Sequence, residues 1–401
     1  MEFTFSSKAK SFSLILMAIG VLTLGINFFT DHSAHHNMFW SNVLFNGFFF
    51  FSISLGALFF MALQFATEAS WSVLIRRVLE AIAKFLPYAA LALVIVFIAS
   101  SFNLNSIYPW MMKGVSNPDS PAFDPVIAEK SAYLNIPFFW LRTLIYLAVF
   151  IGFSMAFRKR SLAQDKTENK AEILDIHYKN YKRSALFLVF FAVFSSTLSW
   201  DWVMSVDAHW FSTLFGWYVL SGMWLMGVTT ALLIILYLKS KGYLPLINKN
   251  HLHDLGKWVF ALSFLWTYLW FSQYMLIWYT NMAEEIIYFL NRYENYKFLF
   301  FFTLAINFII PMLILMSRDS KRNRKYLAII ASIVVFGHWL DAYLLFIPGI
   351  LFEHGHLSWE HFGVFFGFFG LFIYVVFTAL SKAPLVPVHD PYKDESLHHE
   401  I

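Results

Sequence analysis

What most constrains this chain is a succession of ten apolar stretches, each about as long as the ~20 residues a helix needs to cross the hydrocarbon core of a bilayer. They are centred near residues 20, 52, 91, 148, 195, 225, 269, 307, 335 and 371. Backbone groups shielded from water must bond to one another, so each stretch is predicted to be a helix. The expected fold class is an all-α polytopic membrane protein, with residues 1–401 forming one integral membrane domain. Composition agrees, because only 13% of residues are charged, roughly half of what soluble domains carry. The longest connections, 102–137 and 158–183, are too short for a core of their own.

Orientation follows from charge, since cytoplasmic loops hold the excess of Lys and Arg. Of the 29 basic residues, 24 fall on the face that carries both ends of the chain, so both termini are expected in the cytoplasm. The other face keeps Lys113, Lys130, Arg142, Arg292 and Lys297 and is rich in His and acids. Basic residues spread over several short loops make no nucleic-acid footprint. Lys8 and Lys10 precede the first apolar run as in a secretion signal, yet the run is long and "FFTDHSAHHNMFW" offers no small-x-small cleavage site. An uncleaved helix, about 11–31, is expected. The chain has no cysteine, which excludes disulfides, thiolate zinc sites, Cys-ligated iron-sulfur clusters and covalently attached haem. A metal or redox cofactor bound by this chain itself is therefore not expected.

Setting aside the first helix and the tenth, about 361–380, leaves spans 2 to 5 (about 40–205) and spans 6 to 9 (about 212–346) as two halves of a parallel repeat. The last span of each half runs outward and carries an acid beside tryptophan: "SWDW" at Asp201 and "GHWLD" at Asp341. The tail, 381–401, reads as an exposed cytoplasmic end.

Ionisable groups inside a span cost at least ~2.5 kcal/mol and normally face the interior with a function. Thr197, Asp201 and Ser205 recur at i, i+4, which predicts one polar stripe, with Ser195 and Ser199 in a neighbouring row. His338 and Asp341 are i, i+3 neighbours, so an imidazole and a carboxylate share a face and are suited to relay protons. The competing reading makes Asp201 an interfacial residue bonded to an indole. Asp207 and His209 fall in the turn between spans 5 and 6, where a carboxylate caps the next helix. In span 7, Tyr268, Ser272, Met275 and Tyr279 share one face, and Trp266, Trp270 and Tyr274 another; such stripes fit a quinone ring but more commonly serve packing. Gln273 is the polar exception. Gln64 and Glu68 could open an inner half-path or simply be solvated, while Glu284 and Glu285, just past the far end of span 7, could receive protons or simply face water. The loop histidines at 32, 35, 36, 354 and 356 lack carboxylates at ligand geometry and read as solvated or bound to a neighbouring subunit rather than as a metal cluster.

"SWDWVMSVDAHWFSTLFGWY", "FSQYMLIWYTNMAEE" and "GHWLDAYLL" together resemble the ActF family of NrfD-like integral membrane subunits in bacterial alternative complex III. The resemblance spans nearly the whole chain. It implies two four-helix bundles plus two flanking helices, in the bacterial inner membrane. It also implies a subunit of a quinol:electron-acceptor oxidoreductase without a redox centre of its own, in which a homologous NrfD-like subunit, a multihaem cytochrome c and an iron-sulfur protein are the partners. Haem c and iron-sulfur clusters belong to those partners, and a quinone or quinol is the one small molecule left open for this chain. By position, Asp201, His338 and Asp341 fall in the candidate proton-conducting chain of such subunits. In that family a proline commonly precedes the paired glutamates where this chain has Ala283, so the likeness does not extend to the turn holding Glu284 and Glu285. Two other classes fit ten spans and paired acids: a stand-alone proton-coupled transporter and a purely structural scaffold subunit.

Overall fold

A computed structural model describes residues 3–400. Among these residues the chain is helical without strands, and ten helices are long and apolar enough to cross a membrane. They are α1 Ser7–Thr30, α2 Asn37–Ala66, α3 Ser70–Ser101, α4 Ile136–Gln164, α5 Lys170–Trp202, α6 Leu214–Ser240, α7 Lys249–Thr280, α8 Lys297–Leu315, α9 Arg324–Leu351 and α10 Trp359–Ser381. A shorter helix, Ala283–Asn295, lies on the face opposite the termini, hereafter the far face.

Uniform hydrophobicity hides a strong difference in burial. The apolar stretch of α2 is 94% buried and that of α6 83%, against 28% for α1. These two form the centre, and their axes cross where Gly56 meets Gly227: a methyl on Gly56 would sit 1.8 Å from the Met223 carbonyl oxygen. Only glycine permits that approach, the device by which membrane helices gain contact without a hydrophobic drive. Around α2 pack α3, α5 and, through α3 and α5, α4; around α6 pack α7 and α9, with α8 closing against both. The first and last spans pair with each other through Gly20 and Gly367.

Two spans are not regular helices. α3 is interrupted at Lys84 and Phe85, just before Pro87. In α8 the turn Ala305–Ile309 widens to a π-helix ahead of Pro311, which has no N–H to give to the carbonyl four residues back, that of Asn307.

The tail is not a loose end either. Asp390 pairs with the buried Arg76, the Val388 amide donates to Asp165 (2.8 Å), and Ser396 donates to the Trp71 carbonyl (3.0 Å). Farther on, His399 meets Asp254 at 2.6 Å while Asn248 and Asn250 donate to its carbonyl. The tail thus straps the termini ends of α3 and α7 together. Deleting residues 388–401 is expected to cost about 2 kcal/mol, the worth of lost bonds to charged groups, read as a lowered unfolding midpoint in detergent.

Candidate functional site

The first polar centre is built by α4 and α5. Arg142 and Tyr146 are i, i+4 on α4 and face Asp201 near the end of α5. Asp201 is fully buried, and Arg142 grips it with two bonds, Nε to Oδ2 at 2.8 Å and Nη2 to Oδ1 at 2.7 Å. The Tyr146 phenol adds a third at 2.9 Å. The guanidinium is itself sandwiched, 3.9 Å from the Tyr133 ring and 4.1 Å from that of Phe138. Trp202, next in sequence, donates from its indole to Thr143 (3.1 Å) and accepts at its carbonyl from Tyr108 (2.7 Å). A carboxylate gripped by a bidentate arginine and a phenol is held in place.

The stripe expected beside it does not form. α5 stops at Trp202, so Ser205 lies past the helix in a tight turn and donates to the Asp201 backbone carbonyl (2.5 Å). Thr197 donates to Val193 of its own helix (3.1 Å). Neither hydroxyl reaches the carboxylate.

The second centre lies on α9 and is less satisfied. Tyr218 of α6 donates a short hydrogen bond to Asp341, and His338 Nδ1 lies 3.8 Å from the other carboxylate oxygen, too far for a hydrogen bond. His338 is 1% exposed, and neither ring nitrogen has a protein partner. Its ring stands edge-on to Trp266, centroids 5.1 Å apart. Beside Asp341 is a cavity of about 20 Å³ walled by Tyr218, Gln273, Tyr288, Arg292 and Thr303, room for about one water molecule. Gln273 Nε2 and Thr303 Oγ1 lack protein partners, as do Trp266 Nε1 and both side-chain atoms of Asn307 in the π-turn. Buried polar groups are satisfied by water where protein does not serve them, so these atoms mark a hydratable line through α7, α8 and α9.

Arg292, on the far-face helix, closes this cavity. Pro348 within α9 cannot donate to the carbonyl of Leu344, four residues back. Arg292 Nε supplies the missing donor at 3.0 Å, and its Nη2 reaches Leu345 (3.3 Å) and Asp207 Oδ2 (3.3 Å). Its guanidinium carbon stacks 3.4 Å from the Tyr288 ring centre. Beyond Asp207 opens a second space of about 290 Å³, lined by Asp124, Asp207, His209, Glu284, Tyr288 and Asn291. Tyr288 walls both spaces, and the Arg292–Asp207 pair stands between them. Asp207 therefore binds an arginine and does not cap α6. His209 meets Asp124 at 2.6 Å on the surface. Burial works to raise the Asp124 carboxyl, but the Ile127 and Val126 amides and His209 outweigh it and hold the group below the usual carboxylate range.

The remaining candidates lie apart. Glu68 sits past the end of α2 with positive φ, so it shares no helix face with Gln64; it contacts His177 (3.4 Å) and Tyr392 (3.2 Å). Glu284 and Glu285 occupy the first turn of the far-face helix, where its dipole favours acids. The face of α7 with Tyr268, Met275 and Tyr279 points out of the molecule, while Trp266 is fully buried. No group of three or more His, Asp or Glu able to hold a metal ion occurs among the described residues, the loop histidines included. No hydrogen bond or ion pair among those residues joins Asp201 to His338 or Asp341. Sequence reasoning missed Arg142 and Arg292, having counted both as loop charge. The sequence did hold a sign of each: Arg142 is the seventh residue of a helix, and Pro348 leaves a carbonyl in want of a donor.

Compared with known proteins, the chain matches no family model and no curated protein.

Proposed function

We propose that this chain is an integral membrane subunit of a respiratory quinol-oxidising complex of the NrfD-like kind and that it conducts protons through Asp341 and His338. The observation that carries the proton path is the Tyr218–Asp341–His338 group: an acid and an imidazole one helical turn apart, facing polar atoms that protein leaves unserved. A carboxyl and an imidazole both exchange protons near neutral pH when their surroundings bring their affinities together. Asp341 would take a proton from the hydratable line through His338 and pass it along the cavity toward Asp207 and the far-face space. In this reading Asp201, saturated by Arg142 and Tyr146, fastens α5 to α4 and takes no part in the path.

The architecture proposed with it is two four-helix bundles, α2–α5 and α6–α9, joined at the Gly56–Gly227 crossing, with α1 and α10 as the flanking pair. The helix contacts support it, and so does the matched placement of Asp201 and Asp341, each bonded to a tyrosine of a neighbouring helix. The termini face is assigned to the cytoplasm of a bacterial inner membrane on the excess of Lys and Arg. Haem c and iron-sulfur clusters are assigned to partner subunits, because a chain without cysteine has no thiolates to hold them. The exposed aromatic face of α7 suits contact with such a neighbour.

Isolation of the chain in its native assembly in mild detergent is expected to bring haem and iron-sulfur absorbance with it; a solitary, colourless protein would remove the complex from consideration. The path makes its own prediction. Asp207→Asn loosens the pair that separates the two spaces, so vesicles holding the purified chain should leak protons severalfold faster under an imposed potential. Unchanged leakage would disconnect the far-face space from Asp341.

A further inference from the structure

A groove of about 390 Å³ runs between α1, α2, α6, α9 and α10, within the size range of sites that hold small molecules. Its floor is Phe50, Ile53 and Phe372, all nearly fully buried, and Phe365 and Phe369 form a wall. Phe12 of α1, half exposed, borders it where the flanking pair meets the rest of the chain. The lining is otherwise hydrocarbon apart from the Tyr237 phenol and the Thr230 hydroxyl, and the latter has no protein partner. At the termini end the groove is lined by Ala9, Tyr237 and Phe377. The Phe377 ring packs on Phe5 (5.7 Å) and on Tyr237 (5.5 Å). Two exposed lysines flank this same cluster: Lys10 lies 5.6 Å from the Phe5 ring centre and Lys241 5.9 Å from that of Tyr237. Neither has an acidic partner among the described residues.

We infer that this groove holds one anionic phospholipid, an acyl chain lying along Phe50, Ile53 and Phe372 and its phosphate between Lys10 and Lys241. The two halves of the site demand different chemistry. A phenylalanine-lined slot open to the bilayer excludes water and offers a polar ligand nothing along its length, so it accepts hydrocarbon. Paired ammonium groups at its mouth favour an anion, the arrangement that binds acidic headgroups between membrane helices. A neutral lipid or an isoprenoid quinone would fill the slot equally well but gain nothing from the lysines. The bound chain would seal the seam between the α1–α10 pair and α2, α6 and α9. None of this depends on the proton path.

Native mass spectrometry of the delipidated full chain, re-supplied with equal dioleoyl-phosphatidylglycerol and dioleoyl-phosphatidylcholine, reads the site directly. Wild type is expected to retain one phosphatidylglycerol, preferred about tenfold. Lys10→Gln with Lys241→Gln should abolish the preference while a lipid of either kind still binds. Ile53→Trp should expel both, and Ala9→Trp, at the mouth on the peripheral helix, repeats that test with little demand on the core. Equal retention of the two lipids by wild type, a preference surviving loss of both lysines, or lipid retained as in wild type by both tryptophan variants would each overturn the assignment.

Discussion

An Arg142→Met chain is expected to lose about 3–5 kcal/mol of stability, because it strands the Asp201 carboxylate in a site from which water is excluded. Asp201 is fully buried, and with Arg142 gone only the Tyr146 phenol remains to serve its charge. The loss also strips the cation from between Tyr133 and Phe138, where it closes the far-face end of α4. Adding Asp201→Leu to the same chain should restore most of the stability, since a hydrocarbon pair needs no partner and buried ion pairs often give way to apolar ones without loss. Reversible unfolding of the chain in mixed micelles, run as a double-mutant cycle, measures both effects. Should Arg142→Met alone unfold like wild type, water serves Asp201 and its role in fastening α5 to α4 is lost.

Asp341→Asn is expected to slow proton release coupled to turnover of the native assembly by about a hundredfold, the usual worth of a positioned proton-transfer group. Asparagine keeps the shape and accepts the Tyr218 hydrogen bond, so haem and iron-sulfur content of the assembly should not change. Asp201→Asn, under the same assay, should leave proton release near wild type whenever the assembly survives. That contrast separates the conducting subunit from a structural scaffold, in which neither substitution matters to proton release. Parallel loss in both variants would instead restore Asp201 to the path. A stand-alone transporter would show the Asp341→Asn defect in vesicles holding this chain and no other protein.

Both predictions concern acids that the sequence singled out, yet their environments were not equally legible. The oiliness around Asp201 and Asp341 is similar, and each has tryptophan within two residues, Trp200 and Trp202 beside the first and Trp339 before the second. What differs is the partner: a cation one helix away for Asp201, a neutral phenol for Asp341. Arg142 lies 59 residues from Asp201, and no local period relates positions on two different helices. The Thr197–Asp201–Ser205 stripe failed for a simpler reason, as helical spacing was carried across the point at which α5 ends. His338 and Asp341 share a face as expected because α9 runs unbroken past both.

The tail shows the reverse error. Its charged, polar run reads as solvated, and only the folded chain reveals that Arg76 and Asp254 wait for Asp390 and His399. By itself the sequence determined ten helices long and apolar enough to cross a membrane, because apolar surroundings leave a backbone no other means of pairing its polar groups. Tertiary structure alone decided which spans lie at the centre, which buried acid is neutralised and which faces open polar space. Those outcomes depend on which residues of separate helices meet at the same depth, and glycine crossings such as Gly56 with Gly227 set that meeting.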